Sequence, residues 1–255
     1  MDLGLADRAY IVTGGSRGLG LATARVLVAE GARVTLIARD GATMSAAVAE
    51  LGDSAAGLVG DLAEPDAAKR AVDATLSTFG RVDGALLSVG GPPAGTVLTT
   101  TDEQWRAAFE SVFLGSVRAA RSVVDGMLVS GTDGGAIAWV LSTSAVEVFT
   151  GLSTSNGLRP GLAMLVKDLA DEVGPRGVRV NGLLPGRIAT DRIASLDDAT
   201  GDAPKARARA AAAIPLGRYG EPAEFGRVAA FLLSPAASYV TGTLVRVDGG
   251  VTRQP

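Results

Sequence analysis

The strongest constraint on this chain is a glycine-rich turn set between a strand and a helix. The apolar run Ala9-Tyr10-Ile11-Val12-Thr13 ends in Gly14-Gly15-Ser16-Arg17-Gly18-Leu19-Gly20, and apolar residues at helical spacing continue from Gly18 to Glu30. Glycine lets the backbone touch a ligand, and the free N–H groups at a helix start attract negative charge. A strand, this turn and this helix together predict a seat for the pyrophosphate of a dinucleotide.

Six further β-rich runs alternate with helical stretches. The runs are Arg33–Ala38, Ala56–Gly60, Val82–Val89, Ala136–Ser142, Gly177–Leu184 and Gly242–Val247. Helical patterns cover Pro65–Phe79, Asp102–Val129, Leu162–Val173 and Pro222–Leu233. Strand–helix alternation predicts parallel βαβ units, and strands that are apolar throughout predict helices on both faces of the sheet. The expected fold class is α/β: one domain over residues 1–255, with a doubly wound, seven-stranded parallel sheet. No repeat and no linker divides the chain. Lys205–Ile214, rich in Ala and Arg, reads as an exposed helix or as part of a substrate lid over about residues 190–214.

Composition narrows the chemistry. Twenty-four Lys and Arg against 27 Asp and Glu leave a net charge of −3, with no basic surplus to displace counterions from nucleic acid. There is no His and no Cys, which removes disulfides, thiolate chemistry, Ser-His-Asp triads and the usual zinc ligand sets. No metal site is expected, and catalysis is left to hydroxyls, carboxylates, Lys and Arg. Met1–Tyr10 carries acidic residues where a signal peptide needs a basic run, and no apolar stretch approaches the roughly 18 residues of a membrane span. A cytoplasmic protein with no membrane partner is expected.

The spacing Thr-Gly-x-x-x-Gly-x-Gly, from Thr13 to Gly20, resembles that of the short-chain dehydrogenase/reductase family. Other motifs follow in the family's order. Asp61-Leu62 stands where the family's acidic residue contacts adenine, and Gly90-Gly91 where it has Asn-Asn-Ala-Gly. Pro185-Gly186-Arg187-Ile188-Ala189-Thr190 resembles the family's nicotinamide-contacting segment, and Ile214–Arg218 and Val247–Gly250 resemble two later blocks. The resemblance spans essentially the whole chain. It implies a Rossmann fold, a nicotinamide dinucleotide, a small carbonyl or alcohol substrate, and a homotetramer or homodimer joined through the Asp102–Val129 and Leu162–Val173 helices and the last strand. The implied cofactor contacts are Gly14, Ser16, Arg17, Gly18, Leu19, Gly20, Asp61, Leu62, Gly90, Pro185, Gly186, Ile188 and Thr190.

The choice of dinucleotide turns on Leu36-Ile37-Ala38-Arg39-Asp40. In the family's register the NAD-selecting acid would fall at Ala38, leaving Arg39 next, with Arg17 as a second cation. Arginine's fork of donors suits a 2′-phosphate, so NADP(H) is favoured over NAD(H). The other reading pairs Arg39 with Asp40 as a solvated strand-end charge.

The family's catalytic pattern is only half present. There a Tyr, with a Lys four residues on, protonates the carbonyl; a Ser thirteen residues before the Tyr orients the substrate, and an Asn in a long helix completes a water relay. Ser142 keeps the serine position, but counting thirteen onward reaches Ser155 and then Arg159, so Tyr and Lys are both replaced. Val112 stands at the Asn position, and the tyrosines, Tyr10, Tyr219 and Tyr239, lack a Lys four residues later. Gly90-Gly91-Pro92-Pro93 and Ser155-Asn156-Gly157-Leu158-Arg159 resemble an atypical branch that is similar to 3-oxoacyl-carrier-protein reductases. An aliphatic hydroxyl is a far weaker acid than a phenol, and Arg does not release its proton near neutrality. Two functions stay open: an NADP(H)-dependent oxidoreductase using Ser142, Ser155 and Arg159, with Arg159 also touching the cofactor, or a catalytically degenerate dinucleotide sensor or partner-binding protein. Ser155 and Asn156 also read as a helix-capping pair, and Glu147 as either facing the substrate or a solvated loop charge.

Overall fold

The computed structural model describes residues 2–92, 94–132 and 134–254. Seven parallel strands form one sheet in the order β3-β2-β1-β4-β5-β6-β7. They are β1 (Ala9–Thr13), β2 (Arg33–Ala38), β3 (Ala55–Val59), β4 (Gly84–Leu87), β5 (Gly135–Val140), β6 (Val178–Pro185) and β7 (Leu244–Val247). The helices are α1 (Gly18–Ala29), α2 (Gly41–Leu51), α3 (Ala67–Phe79), α4 (Asp102–Ala108), α5 (Gly115–Val129), α6 (Ser153–Val173), α7 (Asp191–Asp198), α8 (Ala203–Ala212) and α9 (Pro222–Leu233). This is a single-domain Rossmann fold.

The sheet separates two cores. Ile11, Ile37, Leu87, Ile137, Trp139, Val180 and Leu184 point to one face, under α3, α5 and α6. Their strand neighbours Tyr10, Val12, Leu36, Leu86, Ala138, Val140 and Leu183 point to the other, under α1, α2 and α9. Successive residues alternate faces, so a strand buried on both sides has no polar phase; this is why the strands read as continuous apolar runs.

The helices depart from expectation in three places. The Asp102–Val129 stretch is not one regular helix, because a π-helical segment, Phe109–Leu114, joins α4 to α5. The helix expected from Leu162 begins at Ser153 and runs through Pro160. Helix α2 was not among the expected elements; Asp40 starts it by accepting a hydrogen bond from Thr43 N at 2.7 Å. Among the described residues no helix is long and apolar enough to cross a membrane.

The order of the strands reverses between β1 and β4, and this is where an open α/β sheet leaves a crevice at its carboxyl edge. Thr13 Oγ1 braces it, donating to Ser88 O and accepting from Ser88 N, each at 2.7 Å. The glycine turn after β1 and the Gly90 loop after β4 are thereby held opposite one another.

Candidate active site

At the glycine turn the protein presents backbone. A Cβ on Gly20 would stand 2.3 Å from Gly14 O, so α1 starts as close to the strand end as it does only because residue 20 is Gly. Gly18 has φ +56°, and a Cβ there would enter the crevice, with the Thr190 methyl as its nearest neighbour at 3.9 Å. A Cβ on Gly90 would meet nothing within 4 Å. Arg17 is the N-cap of α1 and is extended, with no side-chain cap, whereas Asp40, Thr101 and Asp202 cap α2, α4 and α8. An open cradle of glycines beneath an uncapped helix start fits a pyrophosphate. Leu19 lies beside it, partly buried against the β1 face of the core.

Around the turn, Ser16 Oγ accepts from Thr43 Oγ1 at 3.2 Å, joining the cradle to α2. Arg39 does not pair with Asp40, which is occupied as the α2 cap; its Nη1 lies 3.8 Å from Asp61 Oδ2, and the Arg39 side chain is 72% exposed. The Asp40 carboxyl is held below its ordinary range, first by the Thr43 backbone hydrogen bond. Asp61 also accepts from Ala63 N at 3.0 Å, while the Leu62 side chain is buried in the core under α5. Arg39 and Asp61 thus face each other across the outer end of the crevice.

At the other end the site is made of side chains. Ser142, after β5, accepts from Ser144 N at 3.0 Å. Ser155 Oγ lies 2.8 Å from Ser144 Oγ, not from Ser142, and both of these hydroxyls are buried. Ser155 and Asn156 are not a capping pair, because Leu152 is the N-cap of α6. Asn156 instead clamps the preceding loop: its Oδ1 accepts from Phe149 N at 3.1 Å and its Nδ2 donates to Phe149 O at 2.8 Å.

One turn further along α6, Arg159 is 4% exposed and donates from Nη1 to Val140 O at 2.6 Å. Its Nε is buried without a partner, and among the described residues no carboxylate pairs with it. Burial, and then the charge of Arg192, pushes the guanidinium down to about 10. Val112 is buried in the core, so no polar relay starts from that position. Of the tyrosines, Tyr10 donates to Leu233 O, Tyr219 donates to Asp197, and Tyr239 is fully exposed.

The segment after β6 closes the crevice. Pro185 ends the strand, Gly186 N donates to Val247 O at 3.0 Å, and the Ile188 side chain is buried. Thr190, facing Gly18, leads into α7 and α8, and α7 is anchored by Asp197, which binds Arg187 Nη1 at 2.6 Å and the Tyr219 hydroxyl at 3.0 Å. Arg192 Nη2 donates to Pro92 O at 2.7 Å across the crevice. Pro93 lies outside the described residues. Glu147 Oε1 accepts from Arg253 N at 2.6 Å and so holds the C-terminal tail. Sequence reasoning missed Ser144 and Arg192, although each lies two residues from a recognised position, Ser142 and Thr190.

Comparison with known proteins agrees with this geometry. A family model described as "Enoyl-(Acyl carrier protein) reductase" matches residues 14–252. The chain is 30% identical to "3-oxoacyl-[acyl-carrier-protein] reductase FabG" of Vibrio cholerae, over 98% of this chain and 99% of that one. Among solved structures it is similar to L-sorbose reductase of Gluconobacter frateurii, complexed with NADPH and L-sorbose, with 30% identity and a TM-score of 0.94 over the whole of both chains. It is also similar to a short chain oxidoreductase of Pseudomonas aeruginosa PAO1 described as containing an atypical catalytic center, with 32% identity and a TM-score of 0.91 over 99% of this chain and 100% of that one. With the glycine cradle, the strand order and these whole-length matches in agreement, the chain belongs to the short-chain dehydrogenase/reductase family.

Proposed function

We propose that this protein is an NADP(H)-dependent oxidoreductase that interconverts a small carbonyl compound and its alcohol, with hydroxyls and a guanidinium where relatives use a phenol and an ammonium. The observation that carries the proposal is Arg159, a buried cation with an unpartnered Nε at the inner end of an open glycine cradle. Burying a charge without a counter-charge is costly, and such a group is retained where a ligand meets it.

The dinucleotide is held by Gly14, Ser16, Gly18, Leu19 and Gly20 at the pyrophosphate, and by Gly90, Pro185, Gly186, Ile188 and Thr190 toward the nicotinamide. Arg39 and Arg17 bind the 2′-phosphate, and Asp61-Leu62 lie beside the adenine. Arg159 donates to the ribose hydroxyls with the N–H groups that Val140 O leaves free. The lid over residues 190–214 folds α7 and α8 above the substrate.

Nicotinamide, when bound, exchanges a hydride with the substrate carbon. The chain's own groups act on the oxygen. Ser142 Oγ uses a lone pair to accept from Ser144 N, which leaves its proton free to point at a carbonyl oxygen. Either hydroxyl of the Ser144–Ser155 pair can donate to the other, and in the arrangement in which Ser144 donates the Ser155 proton is free as well. Two hydroxyl donors and the Arg159 charge then stabilise the developing alkoxide. A serine that surrendered its proton would be left as an alkoxide no more stable than the product's, so the hydroxyls orient the oxygen and the net proton that completes the alcohol is taken up from bulk solvent.

A second reading, a dinucleotide sensor without turnover, is favoured by the commitment of both buried tyrosine hydroxyls elsewhere. Fluorescence titration with NADPH and NADH, followed by absorbance measurements with ketones, quinones and acyl thioesters, separates the two. Binding of NADPH with oxidation by at least one carbonyl is expected; tight binding with no oxidation by any of them gives the sensor. We also propose assembly into a homodimer or homotetramer through α4, α5 and α6, where Phe109 and Met164 are exposed. Sedimentation as a monomer at micromolar concentration would exclude it.

A further inference from the structure

Arg192 remains outside this mechanism, and its setting is unusual. It sits at the second position of α7, and its side chain lies flat on the loop after β4: a Cβ on Gly91 would stand 2.8 Å from Nη2, 3.0 Å from Cζ and 3.1 Å from Nε. Three atoms of the guanidinium plane are therefore nearly equidistant from one point, which describes face-on stacking that any side chain at residue 91 would push the guanidinium out of. In this pose Nη2 donates to Pro92 O, leaving most of the five N–H donors uncommitted.

Among the described residues Arg192 has no ion pair, although exposed arginines elsewhere have them, such as Arg25 with Glu50 and Arg218 with Glu224. The nearby charge is of the same sign, since Arg192 is the second cause of the lowered proton affinity of Arg159. The two guanidiniums are anchored at the carboxyl ends of neighbouring strands, Arg159 on Val140 O of β5 and Arg192 on Pro92 O after β4, and among the described residues neither pairs with a carboxylate. Like charges on neighbouring strand ends repel, and an anion bound beside them relieves that repulsion. The pyrophosphate seat is not where they are anchored. It lies at Gly18 to Gly20, whereas Arg159 is fixed to Val140 O beside the serines and Arg192 to Pro92 O.

We propose that Arg192 selects substrates whose carbonyl lies near an oxyanion, a carboxylate or a phosphate, and that Arg192 and the Gly91 bed on which it rests form the specificity determinant for that group. The proposal rests on the oxidoreductase reading for its kinetic consequence but not for binding. A guanidinium–oxyanion pair is worth at least about a tenfold preference in partly desolvated surroundings.

The test compares matched substrates: an oxo acid with its methyl ester, and a hydroxyketone with its phosphate, each with NADPH. Preference by kcat/KM of at least about tenfold for the anionic member of either pair is expected, and the pair that shows it tells carboxylate from phosphate. In Arg192→Gln the preference collapses, mainly through KM of the anionic substrate; Arg192→Lys restores part of it. Gly91→Val lifts the guanidinium off its bed and gives the same collapse with the charge intact. A parallel arm measures binding without turnover, as quenching of tryptophan fluorescence in the NADPH complex by oxalate or inorganic phosphate. Turnover without discrimination overturns the inference and leaves the oxidoreductase reading standing. No turnover, but anion binding that is lost in Arg192→Gln, keeps the anion site and removes the oxidoreductase reading. Absence of both removes both. If Arg192→Gln instead weakens NADPH binding tenfold with the preference intact, the guanidinium serves the cofactor and the inference fails.

Discussion

At the glycine turn the surface offered to a ligand is backbone, whereas at the ends of β5 and α6 it is hydroxyl and guanidinium. The backbone end depends on the absence of side chains: Gly20 keeps α1 against Gly14, and Gly18 and Gly90 leave the crevice open. The side-chain end depends on which groups project from a fixed frame, so the groups that Ser155 and Arg159 supply from α6 could be exchanged without any change in strand order. A site built from backbone is lost by damaging the fold or by filling the space that its glycines leave, while one built from side chains can be rewritten position by position.

The largest expected effect tests the backbone end. In Gly20→Val the added carbons meet the Gly14 carbonyl at 2.3 Å, and no side-chain movement relieves a clash with backbone. Loss of more than about 3 kcal/mol of stability and undetectable NADPH binding are expected, by thermal denaturation and fluorescence titration. Gly90→Ala should leave stability within about 1 kcal/mol and weaken the dinucleotide about tenfold, because its methyl occupies space where nothing lies within 4 Å. Equal destabilisation by the two would break the distinction between a glycine that closes the fold and one that opens the crevice.

Arg159→Met probes the other end with the next largest effect. The substitution keeps volume while removing a buried, unpaired charge, and it forfeits the bond to Val140 O. These opposing changes should leave unfolding free energy within about 1–2 kcal/mol of the parent. Dinucleotide affinity should fall at least about thirtyfold. A large loss of stability with affinity unchanged would make Arg159 a structural strut of β5 rather than a ligand group.

The same division explains what the sequence disclosed. The glycine turn was legible because close approach of backbone forces Gly at fixed spacing, and the strands because burial on both faces forces apolar runs. Helix α2 was not: Gly41-Ala42-Thr43-Met44 begins with a poor helix former, and of its eleven residues only Met44 and Ala47 are buried, too few to write a periodic stripe. The first two turns of α6 were illegible for a different reason. Ser153-Thr154-Ser155-Asn156-Gly157 and Pro160 have weak helix propensity, and the helix exists there because the Asn156 clamp, the Ser144–Ser155 bond and the Arg159 anchor hold it from outside. Local pattern cannot report contacts made to β5 and its loop. For the same reason the Ser155–Ser144 pairing was invisible.

Arg39 offers a smaller and sharper measurement at the adenosine end. Its side chain is 72% exposed and stands 3.8 Å from Asp61, so solvent screening limits what a phosphate gains from it. Arg39→Leu should reduce NADPH affinity about five- to tenfold and leave NADH affinity within about twofold, by parallel titrations. Equal losses for both would assign Arg39 to holding Asp61 for the adenine instead of to the 2′-phosphate.

The smallest expected effect is a near absence of pH dependence, and it separates a hydroxyl-and-water mechanism from one with a tuned acid. A phenol or imidazole donor writes a titration step into kcat/KM within the ordinary working range. Here there is no His or Cys, and the nearest site group to titrate is Arg159, at about 10. Because its folded value lies below the ordinary one, the cation is intact below about 10 and is lost as pH rises through it. The unliganded fold carries the cost of that buried charge below about 10 and is relieved of it above, while the complex loses the contact that binds the ribose. Between about pH 6 and 9, kcat/KM should therefore vary by less than about threefold, then fall as pH passes 10, with NADPH affinity falling alongside it. A tenfold step per pH unit inside the flat range would mean that a titrating proton donor exists in the site, and the backbone end alone would then be described correctly.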